Sequence, residues 1–344
     1  MRAVAFDGSD KKLALVEIDR PEPGPGQLLL KVAACGICGS DLHAYQGAIS
    51  PLGTVFGHEF SGEVAAVGDQ VDGDWQEGDR AISMGALTCG QCAACEEGNL
   101  EGCTNLDLIG FGVDGAYAEY VIVQAAVTIK IAASTGYPSA ALVEPLTVGL
   151  AAFRDCNLPM AGNILIIGAG IIGITVVKWA KFFGAEHVGI SDLDSARLNR
   201  AGNAGATVTI NASECDDPVR AFREATGADP QVIVECVGAP MLQRLVDSAP
   251  QKAHIVAVGA NMAPEPITSL AAAQKQLRMT FSFGYTLEDF QFVVRMIEAG
   301  RIETGDLITR SISLEDVPDV FAGLMQPNEH CKVMIEPCAN TLAN

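Results

Sequence analysis

The chain has 344 residues, with 22 Lys and Arg against 42 Asp and Glu, for a formal net charge of −20. That charge repels nucleic acids and anionic membrane surfaces, so neither is expected as a partner. No stretch approaches the roughly 18 uninterrupted apolar residues of a membrane-spanning helix. The length suggests two domains, and 49% hydrophobic with 19% charged residues is the balance of a globular protein with a sizeable core.

The first residues, Met-Arg-Ala-Val-Ala-Phe-Asp-Gly, read as a strand and turn rather than a signal peptide. Eleven cysteines, six of them between Cys35 and Cys103, then point to metal ligands or reactive thiols rather than disulfides, and to a reducing, cytoplasmic location. Strands are expected at Ala3–Phe6, Leu13–Glu17 and Gln27–Ala33, with Pro21-Glu-Pro-Gly-Pro-Gly26 as a rigid turn between the last two. Further strands are expected at Gly62–Val67, Arg80–Met84 and Ala118–Val123. This texture describes a β-rich domain over residues 1–152, to which 289–344 return through a helix at Glu315–Met325 between strands Leu307–Ser313 and Lys332–Glu336.

From residue 153 the pattern changes to strand–helix alternation. Ile164 to Ile167 form a short β-branched run of a strand buried on both faces. Gly168, Gly170 and Gly173 follow as G-x-G-x-x-G, with Ile171 and Ile172 opening an apolar helix that runs to Phe183 and stops at Gly184. Gly168 permits the tight turn, Gly170 lets backbone approach a pyrophosphate, and Gly173 lets helix and strand pack closely. The helix N-terminus then offers free N–H groups and a positive dipole end to phosphate. The next strand, His187–Ser191, delivers Asp192 nineteen residues past Gly173. Its carboxylate suits the hydroxyls of an adenosine ribose and repels a 2′-phosphate, so NAD is expected over NADP.

A helix near Ala196–Ala204, a strand at Thr207–Ile210, a helix begun by Asp217-Pro218, and strands at Gln231–Glu235, His254–Val258 and Leu277–Phe283 complete six strands with helices between them. That is a doubly wound, six-stranded parallel sheet over 153–288, closed by a helix at Glu288–Ala299. Val237-Gly238 and Val258-Gly259 sit at or just past two strand ends, as nucleotide contacts or as plain strand-to-loop turns.

Two constellations carry metal chemistry. Cys89, Cys92, Cys95 and Cys103 form C-x2-C-x2-C-x7-C on a polar loop, the pattern of a closed, structural zinc site of four thiolates. Cys38 and His58, in Cys38-Gly-Ser-Asp-Leu-His43 and Gly57-His-Glu59, supply a thiolate and an imidazole suited to a zinc that keeps one position open. A third ligand is needed, with Glu59 and Glu144 as candidates. By spacing alone, the Cys–His pair reads equally as packing residues.

The order and spacing of Gly36-Ile-Cys-Gly-Ser-Asp-Leu-His43, Gly57-His-Glu-Phe-Ser-Gly-Glu-Val64, Gly78-Asp-Arg80, the four-cysteine loop, Glu144-Pro-Leu146 and the glycine fingerprint with Asp192 resemble the zinc-containing medium-chain dehydrogenase/reductase family over essentially the whole chain. The likeness lies nearest its sorbitol, 2,3-butanediol and threonine dehydrogenase branch. The resemblance implies an α/β protein: a GroES-like catalytic domain interrupted by a Rossmann domain. It implies two zinc ions per chain, NAD, an alcohol or ketone substrate, and a homodimer or homotetramer.

By position it makes Cys38 and His58 catalytic zinc ligands, with Glu144 as the third. In polyol dehydrogenases Glu59 can take that place, and the metal can shift between the two during turnover. Ser40 aligns with the hydroxyl that takes the alcohol proton, His43 with the relay to solvent, and Asp41 with the residue that orients His58. Cys35, near the site, reads as a packing residue. One departure bears on substrate. Polyol dehydrogenases of this branch carry Arg-Tyr after the last Rossmann strand, whereas here Gly284 precedes Tyr285, with Phe281 and Phe283 read as strand core or as an apolar wall. A zinc-independent enoyl or quinone reductase conflicts with Cys38, His58 and the cysteine loop. Loss of those ligands or of Ser40 would favour a non-catalytic NAD-binding protein, and none is lost.

Overall fold

The computed structural model describes residues 1–7, 12–47, 50–89, 91–96, 102–261 and 263–337. Contacts divide the chain into two units, Met1–Glu144 with Thr286–Asn344, and Pro145–Tyr285. The sequence reading draws the joins at 152/153 and 288/289. Both contact-based joins fall earlier, at 144/145 inside the helix Val143–Asp155 and at 285/286 just before the helix Leu287–Glu298.

The first unit opens with an antiparallel pair, β1 (Arg2–Asp7) and β2 (Lys12–Glu17). Its organising strand is β3 (Gln27–Gly36), ten residues long and buried along most of its length. One edge of β3 pairs with β4 (Glu59–Val67), which is followed by β5 (Arg80–Ser83). Short α1 (Gly39–Gly47) lies between β3 and β4 in sequence. The pair β6 (Ala86–Leu87) and β7 (Asp107–Leu108) brackets the one-turn helix α2 (Ala93–Glu96). Then come β8 (Tyr120–Gln124), β9 (Thr128–Lys130) and α3 (Tyr137–Ala141).

The other edge of β3 is shared. Residues 27–31 pair with β8, and Cys35 and Gly36 pair with the C-terminal strand β17, described below. A ten-residue strand is long enough to serve two partners in turn, which brings the end of the chain back beside Gly36. The core holds Phe6, Phe56 and Phe321, with the Phe56 and Phe321 rings stacked at 6.3 Å.

Helix α4 (Val143–Asp155) leads into the second unit, a six-stranded sheet whose register is parallel throughout. Its strands are β10 (Asn163–Ile167), β11 (His187–Asp192), β12 (Val208–Asn211), β13 (Val232–Glu235), β14 (His254–Ala257) and β15 (Arg278–Phe281), in the order β12-β11-β10-β13-β14-β15. That is the doubly wound order in which the direction of build-up reverses beside the first strand. Helices α5 (Ile171–Phe182), α6 (Ser195–Asn203), α7 (Pro218–Thr226), α8 (Leu242–Ser248) and α9 (Ser269–Gln274) connect them. Helix α5 buries Ile174, Val176, Val177, Trp179 and Ala180, and the Trp179 indole N–H donates to Leu146 O at 2.8 Å. Each large apolar side chain so buried contributes about 1.5–3 kcal/mol. The Asp217 carboxylate caps α7 by accepting from the N–H groups of Val219 and Arg220, both at 3.1 Å, one residue before the first-turn proline.

The chain then returns to the first unit through α10 (Leu287–Glu298), β16 (Ile308–Ile312), α11 (Val317–Leu324) and β17 (Lys332–Ile335). Helix α10 begins with a reciprocal cap. The Thr286 hydroxyl accepts from Asp289 N–H at 3.0 Å, and the Asp289 carboxylate accepts from Thr286 N–H at 3.1 Å. Thr286→Ala removes half of that box and is expected to cost about 1 kcal/mol, read as a lower urea midpoint at unchanged m-value.

Several elements differ from the sequence reading. The strand expected at Gly62 starts at Glu59, and α1, β9, α3 and α4 were not anticipated. The start of α1 mixes Gly, Ser, Asp and His, which carries no helical periodicity, so tertiary contacts rather than propensity select it. Phe281 and Phe283 are not core: they are 71% and 95% exposed, the first ending edge strand β15 and the second lying just past it. Among the described residues no helix is long and apolar enough to cross a membrane.

Candidate active site

In the first unit, the turn from β3 into α1 carries Cys38 and Ser40, and the start of β4 carries His58 and Glu59. Backbone geometry makes this approach possible. Gly57 has φ +101°, and a Cβ there would meet the Tyr117 ring at 2.5 Å and Cys35 Sγ at 2.9 Å. A Cβ on Gly36 would stand 2.1 Å from Glu59 Oε2. Both positions require glycine for the two segments to lie this close.

One ligand atom each from Cys38, His58 and Glu59 lies within 4.8 Å of the others. Ser40 Oγ donates to Cys38 Sγ at 3.1 Å and lies 3.4 Å from His58 Nε2, so thiol, hydroxyl and imidazole converge. His58 turns its other ring nitrogen, Nδ1, to Asp41 Oδ1 at 3.4 Å. Asp41 is fully buried, and its Oδ2 accepts from the Tyr117 hydroxyl at 2.7 Å and from Cys38 N–H at 3.1 Å. Burial alone would raise the Asp41 carboxyl. The nearby His58 ring, with hydrogen bonds from Tyr117 and Cys38, outweighs it and holds Asp41 below the usual carboxylate range. Burial likewise works against an imidazolium at His58, but Asp41 more than offsets it and pushes the ring well above its ordinary value. A cation would bind at Nε2, the ring nitrogen that Asp41 leaves free, and ligands there must give up their protons to take it.

Glu59 is also the partner of Lys332. The Lys332 ammonium donates to Glu59 Oε1 at 2.7 Å and to Ile37 O at 2.8 Å. Glu144, 9% exposed, does not join the three-residue cluster. Ser40 and His43 stand three residues apart on α1, and so share a helix face. Cys35 is fully buried, and its thiol is pushed well up by that burial and by nearby carboxylates, which makes it an inert packing residue.

The second cluster of the same unit joins Cys89, Cys92, Cys95 and Cys103, again with the sulfurs all within 4.8 Å. Residues 90 and 97–101 of this loop lie outside the described residues. Cys92 and Cys95 sulfurs are 3.5 Å apart, near the roughly 3.8 Å edge of a tetrahedron of zinc–thiolate bonds. Cys89 N–H donates to Cys103 Sγ at 3.3 Å. Backbone N–H donors at Thr104 and then Cys95 bring the Cys92 thiol down to about 6. Thiols so disposed ionise readily, as metal ligands must. At the loop's start, Gln124 Oε1 accepts from Thr88 N–H at 2.7 Å and from its hydroxyl at 2.8 Å, tying the loop to β8. The donor sets of both clusters fit zinc.

In the second unit, β10 ends at Gly168, whose φ of +100° makes the turn into α5. A Cβ on Gly173 would stand 1.9 Å from Gly168 O, whereas one on Gly170 would meet nothing within 4 Å. Gly173 is therefore demanded by the fold, and Gly170, the residue before the first turn of α5, leaves space that a ligand can enter. Asp192, at the end of β11, accepts from Ala169 N–H at 2.7 Å and Asp194 N–H at 3.0 Å, so its carboxylate also fastens the glycine turn. Val237 and Gly238 give their N–H groups to Glu235 Oε1 at 2.6 and 2.8 Å, and those of Val258 and Gly259 go to Glu235 O at 2.9 and 3.1 Å. Both segments are tightly made turns at the strand ends beside the glycine loop, with 44% of Val237 exposed.

Two family models match this chain: the alcohol dehydrogenase GroES-like domain over residues 24–133 and the zinc-binding dehydrogenase domain over residues 172–299. Sorbitol dehydrogenase of Bacillus subtilis (strain 168) is 32% identical over 338 residues, covering 95% of each chain. The chain belongs to the zinc-containing medium-chain dehydrogenase/reductase family. Solved structures of the same dehydrogenase fold agree. A short chain alcohol dehydrogenase (rspB) from Escherichia coli CFT073, complexed with NADH, superposes with a TM-score of 0.88 at 29% identity, covering 98% of this chain and 99% of that one. A zinc-binding dehydrogenase from Sinorhizobium meliloti 1021 bound to NADP gives 0.88 at 30% identity over the same shares.

This dehydrogenase's sequence motifs lead to Cys38, Ser40, Asp41 and His58. They do not lead to Tyr117 or Lys332. Lys332 is 273 residues from Glu59, and its one local signal is a lysine at the head of an apolar strand.

Proposed function

We propose that the protein is an NAD-dependent, zinc-dependent dehydrogenase that converts a secondary alcohol or vicinal diol to the ketone, reversibly. The observation that carries this reading is the approach of Cys38, His58 and Glu59 ligand atoms to within 4.8 Å of one another, beside Ser40. A chance set of packing residues has no reason to gather a thiol, an imidazole and a buried carboxylate.

Cys38, His58 and one of Glu59 or Glu144 would hold the catalytic ion, and the four cysteines a second, structural one. Bound zinc supplies a Lewis acid that lowers the pKa of an alcohol as it lowers that of water. The residues of the chain do the rest. Asp41 aims His58 through Nδ1. Ser40 takes the alcohol proton, and His43, on the same face of α1, passes it to solvent. Loss of that proton lets the carbinol carbon release hydride to the oxidised nicotinamide, giving ketone, NADH and a proton. The glycine loop holds the pyrophosphate. Asp192 would accept from the adenosine ribose hydroxyls, and its negative charge is the reason for preferring NAD although a relative is bound to NADP.

Gly284 in place of an arginine argues for small, weakly polar secondary alcohols or diols ahead of polyols or L-threonine. Partner and location follow the same reading: a cytoplasmic homodimer or homotetramer. Exposed Phe281, at the end of edge strand β15, and Phe283 just past it are the surface that self-association would cover.

The test is the initial rate of NADH formation over a panel of simple secondary alcohols, vicinal diols, polyols and threonine, with NADP and a chelated sample alongside. Simple alcohols or diols are expected to turn over with NAD and to fail after chelation. Activity that survives chelation, or none on any substrate with zinc present, would sink the proposal.

A further inference from the structure

The zinc reading leaves one buried charge without an assigned task. Lys332 and Glu59 have side chains 0% and 1% exposed, and the ammonium lies 2.6 Å from Oε2 as well as 2.7 Å from Oε1. Only the Oε1 contact is an aligned hydrogen bond, so Oε2 retains its acceptor capacity. That oxygen rests where a side chain on Gly36 would otherwise stand. Lys332 is itself fixed, by its bond to Ile37 O and by the pairing of β17 with the end of β3.

We propose that Lys332 is a positioning residue that shares Glu59 with the catalytic metal and thereby keeps Glu59 a weak, exchangeable ligand. The inference rests on the zinc site proposed above. A buried carboxylate between two cations divides its charge between them. Charge that Glu59 gives to the Lys332 ammonium would be withheld from a bound metal, so Glu59 would hold that metal weakly. A plain structural strut is the weaker reading, since a buried ion pair seldom stabilises more than an apolar pair would. This one is built directly onto one of the three converging donors.

The experiment follows zinc leaving the holoenzyme into excess dipicolinate at fixed pH, with Cys38→Ser identifying which zinc belongs to this site. Lys332→Met is expected to slow release of that zinc by about ten-fold, the scale on which neighbours of metal ligands act, because Glu59 then has no other cation. The cobalt-substituted variant should show weaker visible d–d absorption, as a full extra ligand raises the coordination number. Lys332→Met combined with Glu59→Gln should lose both changes, and Lys332→Arg should resemble the native protein. Unchanged or faster release in Lys332→Met, or a double variant that behaves like it, overturns the proposal. If Lys332→Met does not fold, Glu59→Gln alone decides. Zinc held within about three-fold of the native rate supports an exchangeable ligand, and loss as complete as in Cys38→Ser overturns it. A native protein with no more zinc than Cys38→Ser would instead defeat the zinc reading beneath.

Discussion

Cys38→Ser is expected to lower alcohol oxidation by at least about 10³-fold, because the Lewis acid supplies several kcal/mol of barrier reduction and each 1.36 kcal/mol is a factor of ten. Serine keeps the size of the side chain but not the soft thiolate that zinc prefers. Metal analysis should therefore find one zinc per chain fewer, the four-cysteine site keeping its own, and the thermal midpoint should move little. Rates and zinc content must fall together. Full activity without that zinc would return the protein to a zinc-independent reductase chemistry.

The glycine loop gives the second large effect, as a contrast between two residues of one motif. Gly173→Ala forces a Cβ to 1.9 Å from Gly168 O, a backbone atom that cannot swing aside. It is expected to cost about 1–3 kcal/mol or more of stability, the range for overpacking, with the helix-to-strand contact broken. Gly170→Ala meets nothing within 4 Å, so the protein should unfold at nearly the native midpoint. Its methyl enters the space kept for the pyrophosphate, and the KM for NAD should rise by about ten-fold or more with kcat less affected. Urea unfolding and NAD saturation curves on both variants check this. Equal destabilisation by the two would mean that the loop is shaped by packing alone.

The second unit was the more legible part of the fold. A parallel strand buried on both faces must be a continuous apolar run, so β10, β11, β13 and β14 announce themselves in Ile164–Ile167 and its counterparts. Asp217-Pro218 and the glycines after α5 and α10 mark helix ends by local chemistry, and the structure places the ends within a residue or two. The first unit was harder. Its strands are irregular, and β3 changes partner along its length. Helix α1 lacks an apolar stripe, so the hexapeptide with Cys38 and His43 could be recognised as a motif but not as a helix.

The sequence by itself determined the chemistry available: four clustered thiols, a Cys–His pair with two candidate glutamates, and a strand–glycine–helix turn with an acid after the next strand. These are short-range signals, because ligand spacing, turn conformation and capping act over a few residues. Tertiary structure alone decided which groups meet. It brought Glu59 rather than Glu144 to Cys38 and His58, set the Tyr117 hydroxyl on Asp41, and returned β17 to the edge of β3 so that Lys332 reaches Glu59. It also left Phe281 and Phe283 in the open, where the sequence offered strand core or an apolar wall. Such meetings depend on sheet order and on which residues share a strand's edge. No spacing within a single segment records them.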